Sequence, residues 1–347
     1  MKGEVRRYKK GTAKSGRGGK GGRAAAAREV VREKEKSLSA VKPTPTEETQ
    51  PRRASSKAPS KDNVVAGVTI THPDRVLWPD KGITKLDLAR YYEAIAPRLL
   101  RQAGGRPMSL VRCPQGDVGH CFFQRHAGEG TSHHVKGVKV KGHGEGKPYI
   151  YIDDTAGLVA LIQMGTIELH VWNATVGSVK KPDRLIFDLD PAPDVPWDRV
   201  KDAARDVRTN LKNLGLTAFL KTTGGKGLHI VLPFKKGPSW QAAKRFARAF
   251  SDAMAKDEPD RFTINSRKDV RKGKIFIDYL RNDETASAVA AYSVRARPDA
   301  PVSTPIDWKE LASLENGSVF RIAEVLKRRA DPWRSIAMAS RQTLPIS

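Results

Sequence analysis

The sequence predicts an α/β fold built on a central sheet that carries carboxylates at its strand ends, with helices flanking it. Three observations predict it. In the second half of the chain, apolar runs of strand length alternate with amphipathic stretches of helical period. Two of those runs, RLIFDLD and KIFIDYL, reach aspartate where the apolar pattern stops. A glycine-rich turn, GGKG, joins two further strand-like runs.

Taken in order, structure is expected from about Val64, where VAGVTI reads as one strand. Thr84 is expected to cap a helix over TKLDLARYYEAIAPRLL, because Leu86, Leu88, Tyr91, Tyr92, Ile95 and Leu99 follow helical spacing. PMSLVRC reads as a strand, and CFFQRH as the start of another. The His/Lys/Gly-rich stretch 128–146 reads as a loop or mobile hairpin. TAGLVALIQMGTIELHVWNA reads as a helix running into a strand, with His170 near the strand's end. RLIFDLD is a strand, and WDRVKDAARDVRTNLKNLGL is a helix stopped by Gly215. TAFLKTT and LHIVLPF are strands around the glycine turn. SWQAAKRFARAFSDAMAKDEP is a helix and KIFIDYL a strand. No repeat of solenoid period is present.

The 347 residues carry a net charge of +25. Residues 1–62 hold 18 Lys/Arg against 7 Asp/Glu and are rich in Gly, Pro, Ser and Thr. Such a segment cannot bury enough apolar surface to offset chain entropy, so it is expected to be a disordered basic tail or linker. Residues 63–345 form the expected folded body, itself basic. Lys and Arg at this density replace the counterions of a polyanion, so a nucleic-acid partner is expected. Cys113 and Cys121 fit no CxxC pair and no disulfide framework, which points to a reducing cytoplasm. No apolar run is long enough to cross a membrane, and the N-terminus lacks a secretory pattern. The histidines at 120, 126, 133 and 134 fit no common zinc spacing. Lys244, Arg245 and Arg248 read as the solvated face of their helix.

The chemistry concentrates in two places. Asp188 and Asp190 alternate on one strand, so both carboxylates point to one side. Two like charges about 4 Å apart repel by about 4 kcal/mol near a protein surface, and a hard divalent cation removes that cost. Alone, the pair also fits a solvated strand end. Asp278, at the end of a second apolar strand, adds a third carboxylate, and three suffice for two metal ions. The second place is the segment from Lys221 to His229. Its consecutive glycines let backbone N–H groups approach an anion, with Lys226 adding charge and His229 on the following strand. It is not a P-loop, because no Ser or Thr follows the lysine and a strand follows the turn. A plain glycine hairpin is the other reading.

FDLDP, TTGGKGLHI, IFIDYLRND and YSVRARPDAPVSTPIDW, in that order, resemble the polymerase domain of bacterial DNA ligase D, in the archaeo-eukaryotic primase superfamily. THPDRVLWPDKGITKLDLARYY matches the start of that domain, and the resemblance covers roughly residues 66–340. It implies a primase-polymerase fold with an RRM-like catalytic sheet and flanking helices. It implies Asp188, Asp190 and Asp278 as ligands of two Mn²⁺ or Mg²⁺ ions. His170, Thr223, Lys226, His229 and Arg295 would contact an incoming NTP or dNTP. Arg75 and Lys85 would hold the 5′-phosphate of a downstream strand, and Phe122 and Phe123 would stack on template bases. The motif that begins at Thr223 begins with Ser in the family.

The implied function is extension of 3′-OH ends and gap filling at double-strand breaks in non-homologous end joining. DNA ends and gapped DNA would be its substrates, Ku and an ATP-dependent ligase its partners, and the cytoplasmic nucleoid its location. No KxDG ligase motif and no His-rich phosphoesterase signature is visible. Two other readings share the sequence: a primase that starts chains without a primer, and a catalytically weak DNA-end-binding module that recruits a ligase.

Overall fold

The structure, a computed structural model, describes residues 61–116 and 120–346. The expected tail lies outside them, except for Lys61 and Asp62, which begin a short 3-10 turn. Ten strands form two larger sheets and are numbered β1–β10 here. The first sheet holds β1 (Met108–Arg112), β2 (Phe122–Gln124), β3 (Thr166–Val171) and β9 (Ala288–Val289), in the antiparallel order β9-β3-β1-β2. The second holds β4 (Arg184–Pro191), β5 (Phe219–Thr222), β6 (Leu228–Pro233), β7 (Phe262–Thr263), β8 (Ile275–Asp278) and β10 (Pro305–Ile306). Its order is β7-β8-β4-β6-β5-β10, and only β7 and β8 run parallel.

The helices lie where periodicity puts them. Helix α1 spans Lys85–Ala103, and Thr84 caps it in a reciprocal box with Asp87. Helices α2 (Thr155–Gln163), α3 (Trp197–Asn213) and α4 (Trp240–Asp257) follow. After α3, Gly215 takes φ 74° and the Leu216 N–H reaches back to the Leu211 carbonyl, closing the helix as expected.

Side-chain alternation divides the second sheet into two faces. Leu185, Phe187, Leu189, Leu228, Ile230, Leu232, Ile275 and Ile277 enter a core with Val200, Val207 and Leu211 of α3 and Ala243, Ala247 and Phe250 of α4. Each fully buried Leu or Ile contributes about 2 kcal/mol, which fixes the register of the strands. The opposite face supplies Ile186, Phe219 and Val231 to the core shared with the first sheet, α1 and α2. Asp188, Asp190, His229 and Asp278 alternate onto that same side.

Two local expectations change, and the hairpin alternative for 128–146 holds. VAGVTI is not one strand but a hairpin, Val64–Val65 against Val68–Thr69. Ala66 and Gly67 both take positive φ, as a two-residue primed turn requires, and only the glycine does so without strain. The 128–146 stretch contributes a strand, Lys136–Val138, paired with Tyr149–Tyr151. Cys113 and Cys121 form a disulfide. The antiparallel pairing of Arg112 with Phe122 brings the next two residues opposite each other, with Cα atoms 4.3 Å apart. Spacing along the chain carries no trace of that register.

Candidate active site

One row of residues crosses the second sheet. Asp278 on β8 pairs in register with Asp188 on β4, Asp188 with His229 on β6, and His229 with Lys221 on β5. Asp190 stands two residues further along β4, on the same face. The three carboxylates are thus gathered by strand pairing, as the sequence led us to expect.

Basic groups stand among them. Arg281 Nε is 3.1 Å from Asp278 Oδ2 and 3.8 Å from Asp188 Oδ2. Asp190 is held from both sides, by Lys226 Nζ at 3.0 Å and Arg271 Nη1 at 2.9 Å. His229 Nε2 lies 3.4 Å from Asp188 Oδ1. Burial, and then the Lys221 charge, bring the His229 ring down to about 4, so it is neutral at pH 7. Its Nδ1 is buried without a hydrogen bond. Lys221 is fully buried, its Nζ donating to Ser303 Oγ at 2.7 Å, and burial lowers it well below the usual lysine range.

The glycine turn lies beside this row. Thr223 Oγ1 donates to the Gly227 carbonyl at 2.9 Å and accepts the N–H groups of Gly225 and Gly227. A Cβ at Gly227 would sit 2.2 Å from the Leu189 carbonyl oxygen, inside the DLD segment, and one at Gly224 would sit 2.7 Å from Arg295 Cγ. Glycine is required at both by the closeness of approach. Arg295 Nη1 donates to the Thr223 carbonyl at 2.5 Å. A cavity of about 480 Å³ opens next to the turn, lined by Gly224, Gly225, Lys226, Arg297 and Asn316 among others.

His170 reaches this group from β3 through Glu168, which contacts both His170 and Arg295. Phe123 packs edge-on against His170, with ring centroids 5.9 Å apart. Phe122 is 47% exposed, with the Arg112 guanidinium over its ring. Arg75 and Lys85 form a second group. The Lys85 N–H donates to the Arg75 carbonyl, and the Lys85 ammonium donates to Thr71 O and Gln163 Oε1. Arg75 Nη1 donates to Pro114 O, within the segment that the disulfide closes.

Among the described residues, no group of three His, Cys, Asp or Glu side chains is arranged to hold a metal ion. The donor chemistry nonetheless fits hard cations: three carboxylates on adjacent strands, two of them in register, each already facing positive charge.

A family model described as the LigD primase-polymerase domain matches residues 84–333. The chain belongs to that family. It is 42% identical over 283 residues to the multifunctional non-homologous end joining protein LigD of Pseudomonas aeruginosa, covering 78% of this chain and 33% of that protein. It is 30% identical over 263 residues to the Mycolicibacterium smegmatis protein of the same name, covering 75% and 34%. The chain therefore spans about a third of the length of these LigD relatives. Its fold matches a solved polymerase domain of Mycobacterium tuberculosis ligase D in complex with DNA. The TM-score is 0.72 at 31% identity, over 80% of this chain and 99% of that one. The mixed helix-and-sheet architecture expected from the sequence is that of the LigD polymerase domain.

Within this LigD-type site, sequence reasoning passed over Glu168, Lys221, Arg271, Arg281 and Arg297. Two carried a signal. Glu168 alternates with His170 on one strand, and Arg281 follows Asp278 by three residues. Lys221 opened the segment singled out in the sequence but was given no role of its own, and Arg271 carried no signal, since its partner Asp190 lies 81 residues away.

Proposed function

We propose that this chain is a DNA-end-repair polymerase, a nucleotidyltransferase that extends 3′-OH ends and fills gaps with NTPs or dNTPs in non-homologous end joining. The observation that carries this reading is the cross-strand row Asp278–Asp188–His229, with the glycine turn beside it. Asp188, Asp190 and Asp278 would hold two divalent ions, Mn²⁺ or Mg²⁺. When bound, such ions supply the Lewis acidity that activates a 3′-hydroxyl and neutralises a leaving pyrophosphate.

The chain's own residues then bind and orient. Lys226 and Arg295 bring positive charge to the triphosphate, against a turn that Thr223 keeps in shape. His229, dry and neutral, borders the first carboxylate, and His170 meets the nucleotide from the other sheet. Phe122 and Phe123 offer faces on which template bases would stack, a sequence-tolerant contact. Arg75 and Lys85 hold the 5′-phosphate across the gap. Residues 63–345 make up this catalytic body, and residues 1–62 a basic tail that adds affinity for DNA.

The substrates are double-stranded DNA ends and gapped DNA with a downstream 5′-phosphate, in the bacterial nucleoid. Ku and an ATP-dependent ligase are the partners such a reaction needs. Among the described residues no helix is long and apolar enough to cross a membrane.

Primer extension on a gapped duplex, with rNTPs or dNTPs and Mn²⁺ or Mg²⁺, tests the reading. Templated addition by the wild type and none by Asp190→Ala, with DNA binding retained, is the expected result. Synthesis on unprimed template alone would make it a primase. Tight binding without addition under any condition would make it a recruitment module.

A further inference from the structure

Two basic residues assigned above to the nucleotide come from different elements, His170 from β3 and Arg295 from the segment after β9. A carboxylate outside that assignment joins them. Glu168 lies two residues before His170, so the two side chains share a face of β3. Its side chain is 7% exposed. Oε2 is 2.7 Å from His170 Nε2 and 3.0 Å from Arg295 Nε, the latter an ion pair rather than a hydrogen bond. Oε1 accepts the N–H of Ala296 at 2.8 Å. Arg295 in turn donates to the Thr223 carbonyl. One buried carboxylate therefore ties the first sheet to the Arg295 segment and, through Arg295, to the glycine turn of the second.

We propose that Glu168 is a positioning residue of the nucleotide site: it fixes the His170 ring with its proton on Nε2 and holds Arg295 against the glycine turn. The inference rests on the nucleotide assignment above. An ionised carboxylate only accepts, so the nitrogen facing it must carry the hydrogen. The neutral ring then presents Nδ1 as a lone-pair acceptor. An acceptor suits a hydroxyl of the nucleotide sugar and not a phosphate oxygen, which leaves the triphosphate to Arg295 and Lys226. Burial lowers His170 against the pull of Glu168, in keeping with a neutral ring. Without the carboxylate, Arg295 and His170 would face each other as two buried basic groups, and the guanidinium would lose the partner that aims it at Thr223.

The test uses Glu168→Gln in the full chain. Glutamine keeps the size but places an N–H₂ or a neutral oxygen where the anion stood. ¹⁵N-histidine spectra report the His170 tautomer, with His170→Ala assigning the resonance, and primer extension gives nucleotide KM and kcat. In the wild type the spectra should report Nε2–H. In Glu168→Gln the Nε2–H share should fall, because the amide can turn its N–H₂ to the ring, and nucleotide KM should rise about tenfold, the size of effect seen when the partner that orients a metal-bound histidine is removed, while DNA affinity is unchanged. The effect on KM should largely vanish in a His170→Ala, Arg295→Ala background. Glu168→Asp, which retains the charge, should keep the Nε2–H tautomer and serves if the glutamine variant fails to fold. An unchanged tautomer with unchanged nucleotide KM overturns the proposal. If the wild type extends no primer, the functional reading falls, and the tautomer alone then decides the role of Glu168.

Discussion

Asp188 and Asp278 face each other in register on neighbouring strands, and the guanidinium of Arg281 contacts both. Two carboxylates in one poorly hydrated row repel, so the folded chain needs a cation there. Arg281 fills that need, as Lys226 and Arg271 do for Asp190. Replacing Arg281 by Ala should destabilise the metal-free protein by about 3 kcal/mol, because it leaves buried charge uncompensated. Mn²⁺ should restore more stability to Arg281→Ala than it adds to the wild type. Urea titrations with and without Mn²⁺ check this, and equal metal effects on both proteins would remove Arg281 from the role.

Lys85 gives a pH dependence. Burial, and then the Arg75 charge, lower its ammonium from 10.5 to about 8. The group is charged below that value and neutral above it. The preference for a 5′-phosphate over a 5′-hydroxyl on gapped DNA should therefore be full near pH 7 and fall as pH rises through about 8 to 9. A Lys85→Ala protein should show a smaller preference that is flat across this range. Binding titrations on the two DNAs at several pH values decide it; a wild-type ratio independent of pH would exclude Lys85 from the proposed phosphate contact.

What the sequence made legible follows from how local each signal is. The strand ends at Asp188, Asp190 and Asp278 were readable because apolar alternation is local and stops at the carboxylate. The cap at Thr84 and the stop at Gly215 were readable for the same reason. The pairing of Asp188 with Asp278 followed once both were placed at the ends of neighbouring strands. Glu168 and Arg281 each had a local signal, beside His170 and after Asp278, but what distinguishes them is a second partner more than 90 residues away, Arg295 for one and Asp188 for the other. The Cys113–Cys121 bond depends on the register of β1 with β2. The hairpin at Ala66-Gly67 was hidden because its flanking valines continue the apolar pattern of a single strand.

Glu168 also sets an acid limit on stability. Burial pushes its carboxyl up, but Arg295, His170 and the Ala296 N–H together outweigh burial and hold it at about 2, against 4.5 normally. A carboxyl depressed in the folded state stabilises the protein fully above its unfolded pKa and loses that contribution as pH falls through the folded one. Glu168 thus contributes about 3 kcal/mol at neutral pH, lost progressively between about pH 4.5 and 2. Glu168→Gln should be less stable at pH 7 and flatter across that acid window. Denaturant midpoints from about pH 6 to 2 measure it, and parallel curves for the two proteins would contradict the assignment.

The serine expected at the head of the glycine motif is Thr223 here, and its hydroxyl is bound within the turn. Oγ1 makes its bonds inside the turn, donating to the Gly227 carbonyl and accepting from the Gly225 and Gly227 N–H groups. A serine hydroxyl reaches the same three atoms, and the added methyl of threonine narrows the choice of rotamer. Thr223→Ser should therefore keep nucleotide KM and kcat within about twofold of wild type, while Thr223→Ala, which strips the turn of all three bonds, should cost about 1–3 kcal/mol of stability and raise nucleotide KM. If Thr223→Ser instead raises activity about tenfold or more, the methyl group is what limits the proposed reaction, and the hydroxyl must leave the turn to meet the substrate.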